Sequence, residues 1–401
     1  MRSPVRFVTL LISTAAFLLA AELHRVQPTD LTVHEWGTFT SVAGEDGSAV
    51  EWNTLGCKSD LPRFVVDSYR GLKWGLLGTV RMETPVLYFY SSREMSANVK
   101  VSFPQGLITE WYPKAENHVY QKGWNGNDGP MHRLEANLSG IDASMRTITG
   151  AIEWKNVNVR PGAAPVLPVE SGPSHYYAAR GTDAAPISVD GQHEKFLFYR
   201  GIGRFPVPLS ARLSTDGKII VENRGKEPVP SVILFENRQG RIGYRTAGAI
   251  KQTITLDAPS LDNSFPQLRQ QLESALIAQG LFAKEAQAMV ETWRDSWFEE
   301  GSRLIYILPT PAVDAILPLQ VDPAPSQTAR VFVGRIELVT PETKRSVESA
   351  IAKRDWSVVD RYSRFLDPIL KSIYTGNADK VSEIEQLFRN FQVASGAGAC
   401  R

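Results

Sequence analysis

The chain has 401 residues, of which 43% are hydrophobic and 22% charged, with Lys plus Arg at 44 against Asp plus Glu at 43. That composition is globular and excludes disorder of the whole chain. The near-zero net charge of +1 excludes a general nucleic-acid binder, which needs a basic field, and excludes adhesion to anionic membranes by charge alone.

Arg2 and Arg6 precede the uncharged run Phe7 to Ala21. A positive start before a short apolar stretch is the pattern of a secretory signal, and residues 1–21 are assigned to it. The run is shorter than the ~20 residues of a spanning helix. Left uncleaved, it would be an N-terminal membrane anchor. The expected location is therefore outside the cytoplasm, periplasmic or extracellular. An oxidising compartment permits a bridge between Cys57 and Cys400, the two cysteines of the chain.

Residues 30–160 read as a β-rich domain. The segments Leu31–Val42, Val80–Tyr90, Asn98–Phe103, Leu107–Tyr112 and Thr147–Val159 are rich in β-branched and aromatic residues and bounded by Gly, Pro and Asn. Residues 161–260 open on a Pro-, Gly- and Ala-rich stretch carrying His175, Tyr176, Tyr177 and Arg180, which reads as a long ordered loop. A second β-sandwich-like domain follows: a strand His193–Tyr199, a hairpin turning at Asp216-Gly217, a hairpin from Val229–Glu236 into Arg241–Thr246, and a strand Ile250–Leu256.

In residues 261–394 the period becomes helical. Ser264 is a cap, and Leu268, Leu272, Ala275 and Leu276 share a face; the next stripe is Phe282, Ala286, Met289, Val290, Trp293 and Trp297. Two returning strands, Leu304–Leu308 and Val331–Val339, interrupt the helices. Pro341 opens the closing helical group, and Val381, Ile384, Phe388 and Phe391 stripe its last helix. Residues 395–401 read as a flexible tail. The expected class is α+β: β-sandwich-like modules followed by a helical C-terminal region.

The segments VHEWGTFT (33–40), METPVLYFYS (82–91), FPQGLITEWYP (103–113), HYYAAR (175–180), EKFLFYRG (194–201), SWFEEGSRLIYILP (296–309) and RVFVGRIE (330–337) together resemble a family of exported bacterial proteins. The resemblance spans nearly the whole mature chain. It implies secretion and a shared full-length architecture, and it carries over no catalytic residue.

The zincin, nucleophile-elbow, Walker, dinucleotide and EF-hand patterns are all missing, and no motif requires a cofactor. What stands out is charge embedded in apolar strands, which must face solvent, pair, or shift its pKa. If Glu35, Glu83 and His175 converged, two carboxylates and a histidine would supply acid–base chemistry. Arg180 and Arg200 would hold an anionic group, with Trp36, Trp111, Tyr176 and Tyr177 as stacking surfaces for a glycan or envelope component. His34 and His175 are the metal-ligand candidates among six histidines. The expectation is an exported, non-catalytic ligand-binding or envelope-associated protein. The alternative is a hydrolase of a carbohydrate or envelope polymer.

Overall fold

The computed structural model describes residues 30–54, 61–68, 76–121, 148–172 and 174–394. The signal region, Cys57 and Cys400 lie outside the described residues.

In chain order the strands are β1 (Thr32–Ala43), β2 (Val66–Asp67), β3 (Val80–Tyr90), β4 (Met95–Pro104), β5 (Gly106–Tyr112), β6 (Glu116–Gln121), β7 (Ile148–Val159), β8 (Ile187–Val189) and β9 (Gln192–Glu194). There follow β10 (Leu197–Gly203), β11 (Leu209–Leu213), β12 (Ile219–Asn223), β13 (Val232–Arg238), β14 (Arg241–Ala247), β15 (Thr253–Leu256), β16 (Gly301–Ile307), β17 (Leu319–Asp322) and β18 (Gln327–Leu338). The helices are α1 (Phe265–Ala278), α2 (Ala283–Trp297), α3 (Thr310–Ile316), α4 (Pro341–Lys353), α5 (Trp356–Asp360), α6 (Leu366–Ile373) and α7 (Ala378–Ala394), with a 3-10 turn at His175–Arg180. The class is α+β, with a β-rich N-terminal part and helices gathered late in the chain.

The central sheet has nine strands in the order β14-β13-β16-β18-β1-β3-β10-β5-β2. It draws strands from all three segments 30–160, 161–260 and 261–394, so those divisions mark changes in composition rather than separate sheets. Its middle is a parallel pair, β1 against β18, in which Thr32 faces Gln327 and Ala43 faces Leu338. A six-stranded sheet containing β4 and β7, and a three-stranded sheet β11-β12-β15, complete the β structure.

Strand alternation sorts the side chains of the central sheet into two faces. Val33, Phe39, Met82, Phe89, Phe332 and Ile336 turn towards the other sheets and share a core with Val99, Phe103, Ile152 and Trp154. Trp36, Tyr88, Val331 and Ile305 turn the other way, onto Leu272, Met289 and Trp297 of α1 and α2. Further along that face Val42 meets the closing helices through Val347, Phe365, Ile369 and Phe388. The central sheet thus packs the other sheets against one face and helices against the other.

Local chemistry accounts for several details. Thr84 has φ 46°, and the β1–β3 register shifts between Trp36 and Thr38. That bulge next to Pro85 gives β3 one extra residue, as a proline inside a central strand requires. Gly217, with φ 81°, makes the expected turn between β11 and β12. The expected strand His193–Tyr199 divides into the end of β9 and the start of β10.

Candidate functional site

The charged residues flagged in the strands are buried and partnered, and they occupy both faces of the central sheet. Glu35 is fully buried on the face turned to the other sheets. It accepts a 2.6 Å bond from Tyr199 Oη and a 2.7 Å bond from Arg330 Nε. Arg330 also donates to Asp314 at 2.6 Å. Burial opposes the charge on Arg330, but Glu35, Tyr199 and Asp314 outweigh it and hold the guanidinium above the ordinary arginine value.

Glu83 is fully buried on the helical side. Thr40 Oγ1 donates to it at 2.8 Å, Arg364 Nη1 at 3.1 Å, and Arg81 Nε lies 3.1 Å away. Burial works against its charge, yet Arg81, Arg364 and Arg335 together hold the carboxyl below its ordinary value. The network continues along this face. Arg364 reaches Glu299 at 3.3 Å, Glu299 takes Arg335 at 2.5 Å, and Glu337 takes Arg303 at 2.9 Å. Arg335 also lies 4.7 Å above the ring of Phe365. This polar seam runs between the α1–α2 core and the core of the closing helices.

The expected acid–base site does not assemble. Glu35 and Glu83 stand on opposite faces of one sheet: Glu35 shares the side of Val33 and Phe39, while the bulge at Thr84 turns Glu83 to the side of Thr40. His175, half-buried at the start of the 3-10 turn, makes no hydrogen bond or ion pair with either carboxylate. Arg180 is committed to Glu194, donating from Nε at 2.9 Å and from Nη2 at 2.6 Å, and it stacks 4.9 Å from Tyr177. Arg200 is 2% exposed and sits opposite Glu110 in the β10–β5 ladder.

The stacking surfaces are likewise interior. Trp36, Trp111 and Tyr176 are 0%, 6% and 2% exposed, so none offers a ring face to a sugar. Tyr176 Oη donates to Glu194, and Tyr177 Oη accepts from the Glu170 amide. These aromatics fill the core, as large rings most often do.

His34 is buried on the helical face. Its Nδ1 lies 2.8 Å from Glu285 Oε2, its ring packs 4.4 Å from Phe282, and Nε2 has no hydrogen-bond partner among the described residues. Glu285 also accepts from the Phe282 amide at 2.7 Å and from Tyr90 Oη at 2.8 Å. This carboxylate closes the first turn of α2 and ties it to β1 and β3. His34 and His175 share no metal-ligand group among the described residues. Among the described residues the grouping of that kind is Glu116, His118 and Glu153 on β6 and β7, where Glu116 already holds Lys155 at 2.9 Å.

An accessible cavity lies at a place no motif indicated. A cleft of about 540 Å³ opens where β1 and β18 end, between the turn 44–48, β11 and helices α4 and α6. Its volume falls within the roughly 300–1,000 Å³ range of small-molecule sites. Val42, Val50, Leu338, Val339, Pro341 and Pro368 form its apolar part. Arg212, Lys344 and Lys371 stand around it with Glu45 and Glu51. Glu51 is taken by Arg204, and Lys371 by Asp367 at 2.9 Å. Leu213 is 37% exposed beside these charges. Sequence reading missed the cleft because its residues come from four separated segments and follow no spacing rule. The one available signal was Leu213 at the end of a hairpin strand, where a polar residue is the norm.

No family model and no curated protein matches the chain. Among solved structures, the Fcho1 Mu homology domain of Danio rerio with bound Eps15 peptide superposes with a TM-score of 0.28 at 7% identity, covering 79% of this chain and 99% of that one. Similarity at that level carries no assignment of fold or function.

Proposed function

We propose that the protein is an exported, non-catalytic binding protein that takes a small molecule into the cleft at the ends of β1 and β18. The observation that carries this reading is the cleft itself, with an apolar floor, a charged rim and a volume of about 540 Å³. Sites of this kind gain affinity from apolar burial and orientation from a few polar groups. The hydrolase reading has less support, because the carboxylates that would act as acid and base are closed off in ion pairs on opposite faces. Export rests on the basic, then apolar, N-terminus.

The test is a thermal-shift screen of the purified protein against small-molecule libraries, with glycan and envelope fragments included. A ligand present at a hundred times its Kd adds about 2.7 kcal/mol of stability, a readable rise in Tm. Hits should lose their effect in Leu213→Gln, which makes the rim of the cleft more polar. A screen without stabilising compounds, or hits indifferent to Leu213→Gln, would sink this reading. Turnover of a glycan by the wild type and not by Glu83→Gln would replace it with the hydrolase.

A further inference from the structure

We infer that the cleft selects amphiphiles with an anionic headgroup, such as a medium-chain carboxylate. This rests on the binding reading above and adds the class of ligand. Two cations at the rim remain available to a ligand. Arg212 lines the cleft, is exposed, and forms no ion pair among the described residues. Lys344 has only a 3.4 Å bond to the Ser372 carbonyl and a 4.0 Å approach to Glu45, whose side chain is 97% exposed. That Glu45 contact is a weak surface pair, displaced at little cost.

The acids at the rim do not cancel these cations. Glu51 is bound by Arg204. Lys344 is also in the first turn of α4, which begins at Pro341, so the positive end of a thirteen-residue helix faces the same space. The second half of the argument is apolar. Val42, Val50, Leu338 and Pro368 line the floor, and Leu213 leaves more than a third of its surface exposed beside Arg212. An apolar body would cover those groups while an anionic head met Lys344 and Arg212. A cationic head would leave both unpaired and lose the helix contribution.

The experiment is titration calorimetry of the full protein with three twelve-carbon probes below their micelle concentrations: dodecanoate, dodecanol and dodecyltrimethylammonium. Dodecanoate should bind with the highest affinity. Lys344→Gln and Arg212→Gln should each weaken it about tenfold, the loss of one charge-assisted contact, and leave dodecanol unchanged. Both side chains are partly or fully exposed, so the folded state is retained, checked by an unchanged Tm without ligand. Equal affinity for all three probes, or carboxylate binding indifferent to both substitutions, overturns the headgroup inference alone. Binding of none of the probes, with a different ligand found by the screen at the same cleft, also overturns it and leaves the binding reading standing.

Discussion

Glu83 and Arg364 are 281 positions apart in sequence, and their side chains meet at 3.1 Å in a space closed to solvent. The contact fixes the closing helices to the central sheet by placing a guanidinium beside a buried carboxylate, which offsets the cost of burying its charge.

Arg364→Met should destabilise the protein by about 3 kcal/mol, the low end for stripping one partner from a buried ion pair, because Arg81 stays with Glu83. Urea unfolding followed by tryptophan fluorescence measures it. In the double variant with Glu83→Gln the loss should be smaller than the sum of the two single losses, the mark of residues that interact. Strict additivity would show that the pair is not coupled.

Acid unfolding should also report on Glu83. Its carboxyl is held below the ordinary value in the folded state, so it binds its proton more readily when unfolded. The stability it contributes is therefore complete above the ordinary carboxylate pKa of about 4.3 and is lost as pH falls through the lower folded value. Glu83→Gln should be less stable than wild type at neutral pH and should show a shallower fall in stability below about pH 4.3. Parallel curves for the two proteins down to acid would contradict the assignment.

Glu285→Ala should cost about 3 kcal/mol, since it leaves the Phe282 amide, Tyr90 Oη and His34 Nδ1 without their shared acceptor. Tyr90→Phe removes one of those bonds and should cost only about 1 kcal/mol. Hydrogen exchange should localise the loosening to the first turn of α2. A uniform change over the whole molecule would argue against a local clasp.

Gly334→Ala should fail by crowding. A Cβ there would overlap the Tyr306 ring, which is itself fully buried. Overpacking of this order costs about 1–3 kcal/mol. Adding Tyr306→Leu should recover part of that loss, and a double variant no more stable than Gly334→Ala alone would place the strain elsewhere.

The elements of this fold were legible where a local rule operates. Val80–Tyr90 reads as a strand from its residues and forms one over that span. Asp216-Gly217 signals its hairpin through the positive φ that glycine accepts. The sheet order was not legible, because the pairing of Thr32 with Gln327 has no local signature. Nor was the fate of the embedded charges. The bulge at Thr84 turns Glu83 to the face opposite Glu35, and only the tertiary fold brings Arg330 to one and Arg364 to the other. Likewise Trp36 and Trp111 read as stacking platforms or as core, and their burial places them in the core.

The parallel pairing of β1 with β18 sets a schedule for the growing chain. β3 emerges soon after β1 and can cover one of its edges, but the other edge waits for residues 327–338. Through that interval a twelve-residue strand that the folded protein buries keeps a row of unpaired amides and carbonyls, the template on which strands of other chains add. Closure over so many residues is slow, since the loop entropy is lost before the contacts form. Chains truncated before Gln327 should therefore aggregate rather than fold.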